Sequence, residues 1–208
     1  MPPKIKICGL KTKEALDAAM RADFIGFVFY KDSPRAIDIP LAAGLTKKMT
    51  AGPGKVGLFV NPDDATLYDV LASIRLDMIQ LHGDEAPQRV RDIAAMTGLP
   101  VMKAIRVAAA ADIKAARDYE DVADWLLFDA RSDDSYGGTG KSFDWTLLKD
   151  FKSRRPWMLS GGLNAANIGA ALAAVKPDVV DVSSGVESSR GNKDPALIAD
   201  FIRTVKSL

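Results

Sequence analysis

The chain has 208 residues and a formal net charge of +1, with 28 basic and 27 acidic side chains interspersed along it. That balance excludes a large field of one sign, and with it nucleic-acid recognition built on a basic face. A single cysteine excludes an internal disulfide, and a single histidine excludes a multi-histidine metal site. The length suits one domain covering residues 1–208. The opening Met-Pro-Pro-Lys lacks the apolar core of a secretory signal, and the longest nearly unbroken apolar run, residues 24–30, is far short of the ~20 residues a membrane helix needs. The expectation is a soluble, cytoplasmic protein with no nucleic-acid or membrane partner.

The first strand-like run, residues 5–7, alternates with Lys4 and Lys6 and ends on Cys8, where Gly9 turns the chain toward a helical pattern at 12–21. Strand, glycine turn and helix make a βα unit, and ligands meet such folds at the carboxyl ends of the strands, where Cys8 stands. A second run, 24–29, opens into Ser33-Pro34-Arg35 ahead of a helix at 40–48. Runs at 56–60, 78–81 and 101–105 follow, each trailed by a helix, at 62–74, 86–97 and 109–118; the fourth sets Gln80 and His82 on one face. The run 125–128 ends on Asp129, the address on the sixth strand that Cys8 has on the first.

Residues 131–142 then form the longest stretch without periodicity, carrying Gly137-Gly138-Thr139-Gly140; it reads as a closing lid or a surface excursion. A helix at 145–151 follows, and Lys152, Arg154 and Arg155 read as its solvated end. The run 157–159 leads through Ser160-Gly161-Gly162 to a helix at 165–175, and 179–182 leads through Ser183-Ser184-Gly185-Val186 to a last helix at 195–205. Asn61 before Pro62, Asp84 ahead of Pro87 and Asp194 before Pro195 mark helix starts. Roughly eight strands alternating with helices in so short a chain favour an α/β fold of the (β/α)8 TIM barrel type. An open sheet stays possible, although no Gly-x-Gly-x-x-Gly follows the first strand.

Barrel strands alternate between the helices and the interior, so Ile5 and Ile7 outward put Lys4, Lys6 and Cys8 inward. The same parity turns Asp181 inward on the eighth strand, beside the first because a barrel closes on itself. Lys6 and Asp181 are therefore expected to pair, since an unpaired interior charge costs on the order of several kcal/mol. The glycine loops after the seventh and eighth strands have the form of a phosphate corner, in which the amides of Gly161, Gly162, Ser184 and Gly185 surround an anion. Neither loop carries a lysine or arginine. Each feature has a plainer reading: a buried small cysteine, a turn-capping Asp129, a structural His82, a surface Arg35 and two ordinary turns.

Taken together, Lys6-Ile7-Cys8-Gly9, Gly26-Phe27-Val28-Phe29-Tyr30, Ser33-Pro34-Arg35 and Gln80-Leu81-His82-Gly83 resemble the phosphoribosylanthranilate isomerases of tryptophan biosynthesis. The likeness continues through Leu127-Phe128-Asp129, Gly137-Gly138-Thr139-Gly140, Phe143-Asp144-Trp145, Leu159-Ser160-Gly161-Gly162-Leu163 and Asp181-Val182-Ser183-Ser184-Gly185-Val186-Glu187. It departs locally at Lys11, where members have a shorter turn.

The resemblance implies an Amadori rearrangement of a phosphorylated aminoaldose without cofactor or metal, with Asp129 as acid and Cys8 as base. It implies that Arg35 meets the anthranilate carboxylate, that His82 and Asp181 line the substrate site, and that Gly161, Gly162, Ser184 and Gly185 hold the phosphate. Reference acidities suggest the opposite roles: protonating a free aspartate at pH 7 costs about 4 kcal/mol and ionising a free thiol about 2. Burial and the substrate carboxylate must then favour protonated Asp129, while Lys6 and the loop amides favour the thiolate of Cys8. Related phosphate-binding barrels, such as indole-glycerol-phosphate synthase or a sugar-phosphate epimerase, share the corner but not the Cys8 and Asp129 pairing. A silent phosphate-binding barrel is a further alternative, and both monomer and homodimer fit.

Overall fold

In the computed structural model, which describes residues 1–47, 49–130 and 142–208, parallel strands pair in chain order and the last closes on the first. They are β1 (Lys4–Cys8), β2 (Phe24–Val28), β3 (Gly54–Phe59), β4 (Met78–Leu81), β5 (Val101–Val107), β6 (Trp125–Ala130), β7 (Trp157–Leu159) and β8 (Val179–Val182). A short hairpin, β9 (Glu187–Ser189) with β10 (Asn192–Lys193), follows β8. The expected (β/α)8 barrel is the observed one. The expected lid and Gly137-Gly138-Thr139-Gly140 lie outside the described residues.

The helices are α1 (Lys13–Ala19), α2 (Ile39–Thr46), α3 (Asp64–Ser73), α4 (Pro87–Thr97), α5 (Ala110–Ala115), α6 (Ile168–Ala174) and α7 (Pro195–Lys206). Local chemistry starts several of them: Asp194 Oδ1 accepts from the amides of Ala196 (2.8 Å) and Leu197 (3.3 Å), with Pro195 supplying the fixed φ of a first turn.

Two other starts differ from expectation because the side chains are drawn into loop-to-loop contacts. Asn61 sits at φ +45° with its Oδ1 accepting from the Asp84 amide (2.8 Å), so Asp63 caps α3 instead. Asp84 pairs with Arg106, and α4 starts after Ala86 without a side-chain cap. The helix expected at 145–151 is only a 3₁₀ turn, Trp145–Leu148. Phe151 packs edge-on against Phe128 at 4.9 Å and against Trp157 at 6.2 Å, which draws the chain onto the barrel before a second turn forms. No helix end therefore precedes Arg154 and Arg155; Arg154 instead meets Glu120 (3.3 Å) and Asp121 (2.9 Å), and Arg155 donates to the Glu120 carbonyl (2.7 Å).

Strand parity follows the sequence. Ile5, Ile7, Val180 and Val182 belong to the large apolar layer between strands and helices. Inside, Val56, Met78, Met102, Leu127, Met158 and Val179 form an apolar plug near the amino ends of the strands. Each large side chain so buried contributes roughly 1.5–3 kcal/mol relative to exposure. Lys4 stays exposed at the outer end of β1.

Above the plug the interior turns polar. Lys6 is fully buried, stands in register with Asp181, and places Nζ 2.9 Å from its Oδ1. Asp181 Oδ2 accepts from Ser160 Oγ at 3.1 Å, so both carboxylate oxygens are engaged. Burial works against the Lys6 charge, but Asp181, and Cys8 beside it, outweigh that and hold its pKa above the ordinary lysine value.

Lys6→Met alone is expected to cost about 3–5 kcal/mol, because it strands the Asp181 charge. Lys6→Met with Asp181→Leu should recover most of that loss. Chemical denaturation of the two variants checks the pair.

Candidate active site

Parity and strand length bring the singled-out side chains to one end of the barrel. Cys8 closes β1, Asp129 lies near the end of β6, and His82 follows β4 with its amide donating to the Phe59 carbonyl (2.8 Å). Cys8, Arg35, Gln80, His82, Asp129 and Asp181 all line one cleft that opens to solvent. Thiol and carboxyl thus face a shared cavity.

Asp129 is buried, with Oδ1 accepting from the Ala130 amide (2.9 Å) and Oδ2 3.1 Å from His82 Nε2. The other ring nitrogen of His82, Nδ1, lies 2.9 Å from Gln80 Nε2. His82 is therefore held between a carboxyl and a carboxamide, with both nitrogens engaged.

Cys8 departs from expectation. Burial is the largest influence on its thiol and pushes it above the ordinary value; Lys6 and Lys193 act the other way, and Asp181 adds to the rise. Lys6 does favour the thiolate, but desolvation outweighs it. In the free protein the group is thus a thiol across the neutral range.

Arg35 is fixed by a fork–fork pair with Glu187: Nε to Oε1 at 2.7 Å and Nη2 to Oε2 at 2.8 Å. Glu187 also accepts from the Gly191 amide (3.0 Å) and from Lys193. Burial works against its charge, yet Arg35 and Lys193 prevail and hold its carboxyl below the ordinary value. The surface reading of Arg35 does not hold, since the side chain is buried at the cavity wall.

The two glycine loops meet beside this cavity. Gly161 and Gly162 follow β7, and Ser184 and Gly185 lie in a 3₁₀ turn, Ser184–Val186, after β8. A Cβ on Gly185 would fall 1.9 Å from the Leu163 carbonyl oxygen, and Gly161, at φ +90°, would place one 2.7 Å from the Ala130 nitrogen. None of the described hydrogen bonds uses the amide N–H of Gly161, Gly162, Ser184 or Gly185 as donor.

These loops contain no basic residue, but Lys193, carried back by the hairpin, places Nζ 3.2 Å from Ser183 Oγ. Ser183 Oγ in turn donates to the Cys8 carbonyl (3.1 Å). Parity alone would have found Ser160 and Ser183, which share the inward face with Met158 and Asp181. Lys193 and Glu187 carry no such signal, because only the hairpin brings them to β1.

A second buried pair lies behind His82. Lys103 Nζ donates to the Gly83 carbonyl (2.8 Å) and to Glu85 Oε2 (3.0 Å), while Glu85 Oε1 accepts from the amides of Asn61 (2.8 Å) and Gly83 (3.0 Å). The turn after β4 is thereby pinned on three sides. Among the described residues no group of three or more His, Cys, Asp or Glu is arranged to hold a metal ion, and no helix is long and apolar enough to cross a membrane.

Titratable side chains gathered at the carboxyl ends of barrel strands place the chain among the barrel enzymes as a class. Within that class, the family model for N-(5'-phosphoribosyl)anthranilate (PRA) isomerase matches residues 5–204. The N-(5'-phosphoribosyl)anthranilate isomerase of Rhodospirillum centenum is 50% identical over 214 aligned positions, covering 100% of both chains. The crystal structure of phosphoribosyl anthranilate isomerase from Thermotoga maritima superposes with a TM-score of 0.89 at 36% identity, covering 99% of this chain and 100% of that one. A phosphoribosyl anthranilate isomerase in complex with reduced 1-(o-carboxyphenylamino)-1-deoxyribulose 5-phosphate aligns over the same shares, at 36% identity and a TM-score of 0.84. The chain belongs to the PRA isomerase family.

Because Cys8 is the sole cysteine, alkylation reports on it alone. Iodoacetamide at pH 8 is expected to modify it at least about tenfold more slowly than a free thiol, with the rate climbing only above the ordinary thiol value. Mass spectrometry of timed samples reads this directly. In the same range native stability should fall as pH rises, since the unfolded chain ionises its thiol first.

Proposed function

We propose that the chain, acting as one catalytic domain, isomerises N-(5-phosphoribosyl)anthranilate to 1-(2-carboxyphenylamino)-1-deoxyribulose 5-phosphate, with Asp129 and Cys8 as its acid and base. The reaction is a step of tryptophan biosynthesis. The observation that carries the assignment of roles is the shared cavity: the ends of β1 and β6 present a thiol and a carboxyl to one cleft open to solvent.

Protonated Asp129 gives its proton to the furanose ring oxygen. The bond from that oxygen to sugar carbon 1 breaks, and the anilino nitrogen supplies the electrons for a protonated Schiff base. Cys8, as thiolate, removes the proton from carbon 2, and the electrons left behind neutralise the iminium as an enolamine. Loss of the carbon 2 hydroxyl proton and protonation at carbon 1 complete the aminoketose. Each step moves a proton between atoms within one cavity.

The substrate itself helps to supply the protonation states the mechanism needs. Its carboxylate brings negative charge toward Asp129, favouring the acid form, while Lys6 and Lys193 remain as the cations that favour the thiolate of Cys8. Arg35, its guanidinium plane set by Glu187, presents the cavity wall to the anthranilate carboxylate. The phosphate is held by the amides of Gly161, Gly162, Ser184 and Gly185, with Lys193 near the same corner. His82 holds Asp129, and Asp181 holds Lys6 beneath the thiol.

Cys8→Ser and Asp129→Asn are each expected to lower kcat by ~10² to 10⁴. Near-normal turnover of either variant on freshly generated substrate would remove that residue from its role. Arg35→Lys should raise KM, since a lysine cannot reproduce the paired contact; an unchanged KM would leave Arg35 with only its tie to Glu187.

A further inference from the structure

We propose that the carboxamide of Gln80 is the positioning element that sets which ring nitrogen of His82 carries the proton, and so whether His82 donates to Asp129 or accepts from it. Gln80, His82 and Asp129 are buried and consecutive: Gln80 Nε2 to His82 Nδ1 at 2.9 Å, and His82 Nε2 to Asp129 Oδ2 at 3.1 Å. Each link needs one donor and one acceptor, so the three groups cannot be assigned independently.

With the amide nitrogen toward the ring, Nδ1 must accept. The imidazole proton then sits on Nε2 and is donated to Asp129, which must be a carboxylate. That arrangement suits the resting protein but not an acid. It also leaves Gln80 Oε1 buried without a partner among the described residues.

A half-turn of the amide exchanges oxygen and nitrogen at almost no change of shape. Gln80 Oε1 then accepts from His82 Nδ1–H, with the amide NH₂ taking the place of Oε1, His82 Nε2 presents its lone pair, and a protonated Asp129 has an acceptor for its hydroxyl. The imidazole is neutral in both arrangements, and the trio gains one proton, on Asp129. Among the described residues no other group hydrogen-bonds the amide, whose register neighbours are Leu58 on β3 and Met102 on β5. The face the amide presents therefore fixes the tautomer, and with its oxygen toward Nδ1–H a proton on Asp129 is held by a neutral acceptor rather than passed to an imidazolium.

Among the described residues, the other titratable or charged groups facing the cavity are Cys8 from β1, Tyr30 and Arg35 after β2, and Asp181 from β8, with the Lys103–Glu85 pair behind His82. Asp181 is already paired with Lys6, and Arg35 with Glu187. Arg106, the register neighbour of Asp129 on β5, is paired with Asp84. The inference rests on the acid role of Asp129 only for its kinetic consequence; the tautomer itself is a property of the free protein.

His82 is the single histidine, so full-length protein labelled with ¹⁵N-histidine gives one pair of ring-nitrogen signals. Titrated from pH 8 downward, with the Asp129 carboxyl followed by ¹³C, the signals should pass from the Nε2–H tautomer to a majority of the neutral Nδ1–H tautomer as Asp129 takes up its proton. A ring that keeps Nε2–H throughout, or that gains a second proton at the same pH, overturns the proposal. Gln80→Glu, an acceptor only while ionised, should hold Nδ1–H at pH 8; retention of Nε2–H there, with the introduced carboxylate shown ionised by ¹³C, also overturns it. Gln80→Met should lower kcat about tenfold and displace the acid limb of the pH–rate profile, with KM within about twofold. An unmoved limb would overturn the kinetic consequence. Should the variants not fold, the wild-type titration decides alone. Full turnover of Asp129→Asn would instead remove the acid role and leave the tautomer result standing.

Discussion

A lysine with no exposure to solvent sits in the middle of this barrel, and its pairing with Asp181 is the constraint from which the rest of the site follows. The two residues are 175 positions apart and meet only because β8 pairs with β1. Neither charge is tolerable alone in that interior, so the sheet's closure and the pair's formation require each other. The pair also divides the barrel: below it lies an apolar plug, and above it Cys8, Gln80, His82, Asp129 and Ser160 line the cleft together with the apolar Val28 and Leu58 of β2 and β3.

That division sets the acidity of the groups above it. Cys8 stands directly over Lys6, close to a cation but out of water, and the second effect is the larger. A thiol poised this way resists ionisation while the cations that stabilise its ionised form stay close by. Asp129 is held by His82, which Gln80 holds in turn.

Two further buried ionic clusters hold the groups around the cavity in place. Lys103 and Glu85 pin the turn that carries His82, and Arg35, Glu187 and Lys193 lash the hairpin after β8 across the mouth of β1 and β2. Burial disfavours the charge on both lysines, Lys103 and Lys193, and in both cases the carboxylate partner only partly compensates. Such pairs contribute geometry more surely than stability, because their desolvation offsets most of their attraction.

The sequence by itself determined the strand parity, and with it the inward set of Lys6, Cys8, Gln80, His82, Asp129 and Asp181, because a period of two leaves no freedom once the outward isoleucines and valines are placed. It also determined the barrel, through the alternation of short apolar runs with helices, and the glycine loops after β7 and β8. The start of α3 at Asp63 rather than Asn61, the single 3₁₀ turn at Trp145–Leu148 and the fork of Glu187 on Arg35 were decided by the tertiary structure. In each case a side chain suited to a local role was recruited by a partner far along the chain: Asn61 by Asp84, Phe151 by Phe128, Arg35 by Glu187. Local propensity is worth about 1 kcal/mol at a helix cap, and a buried ion pair or aromatic contact outweighs it once the barrel has closed. The acidity of Cys8 was likewise beyond the sequence, since the sign depends on how completely folding removes water from a thiol that Lys6 alone would have shifted the other way.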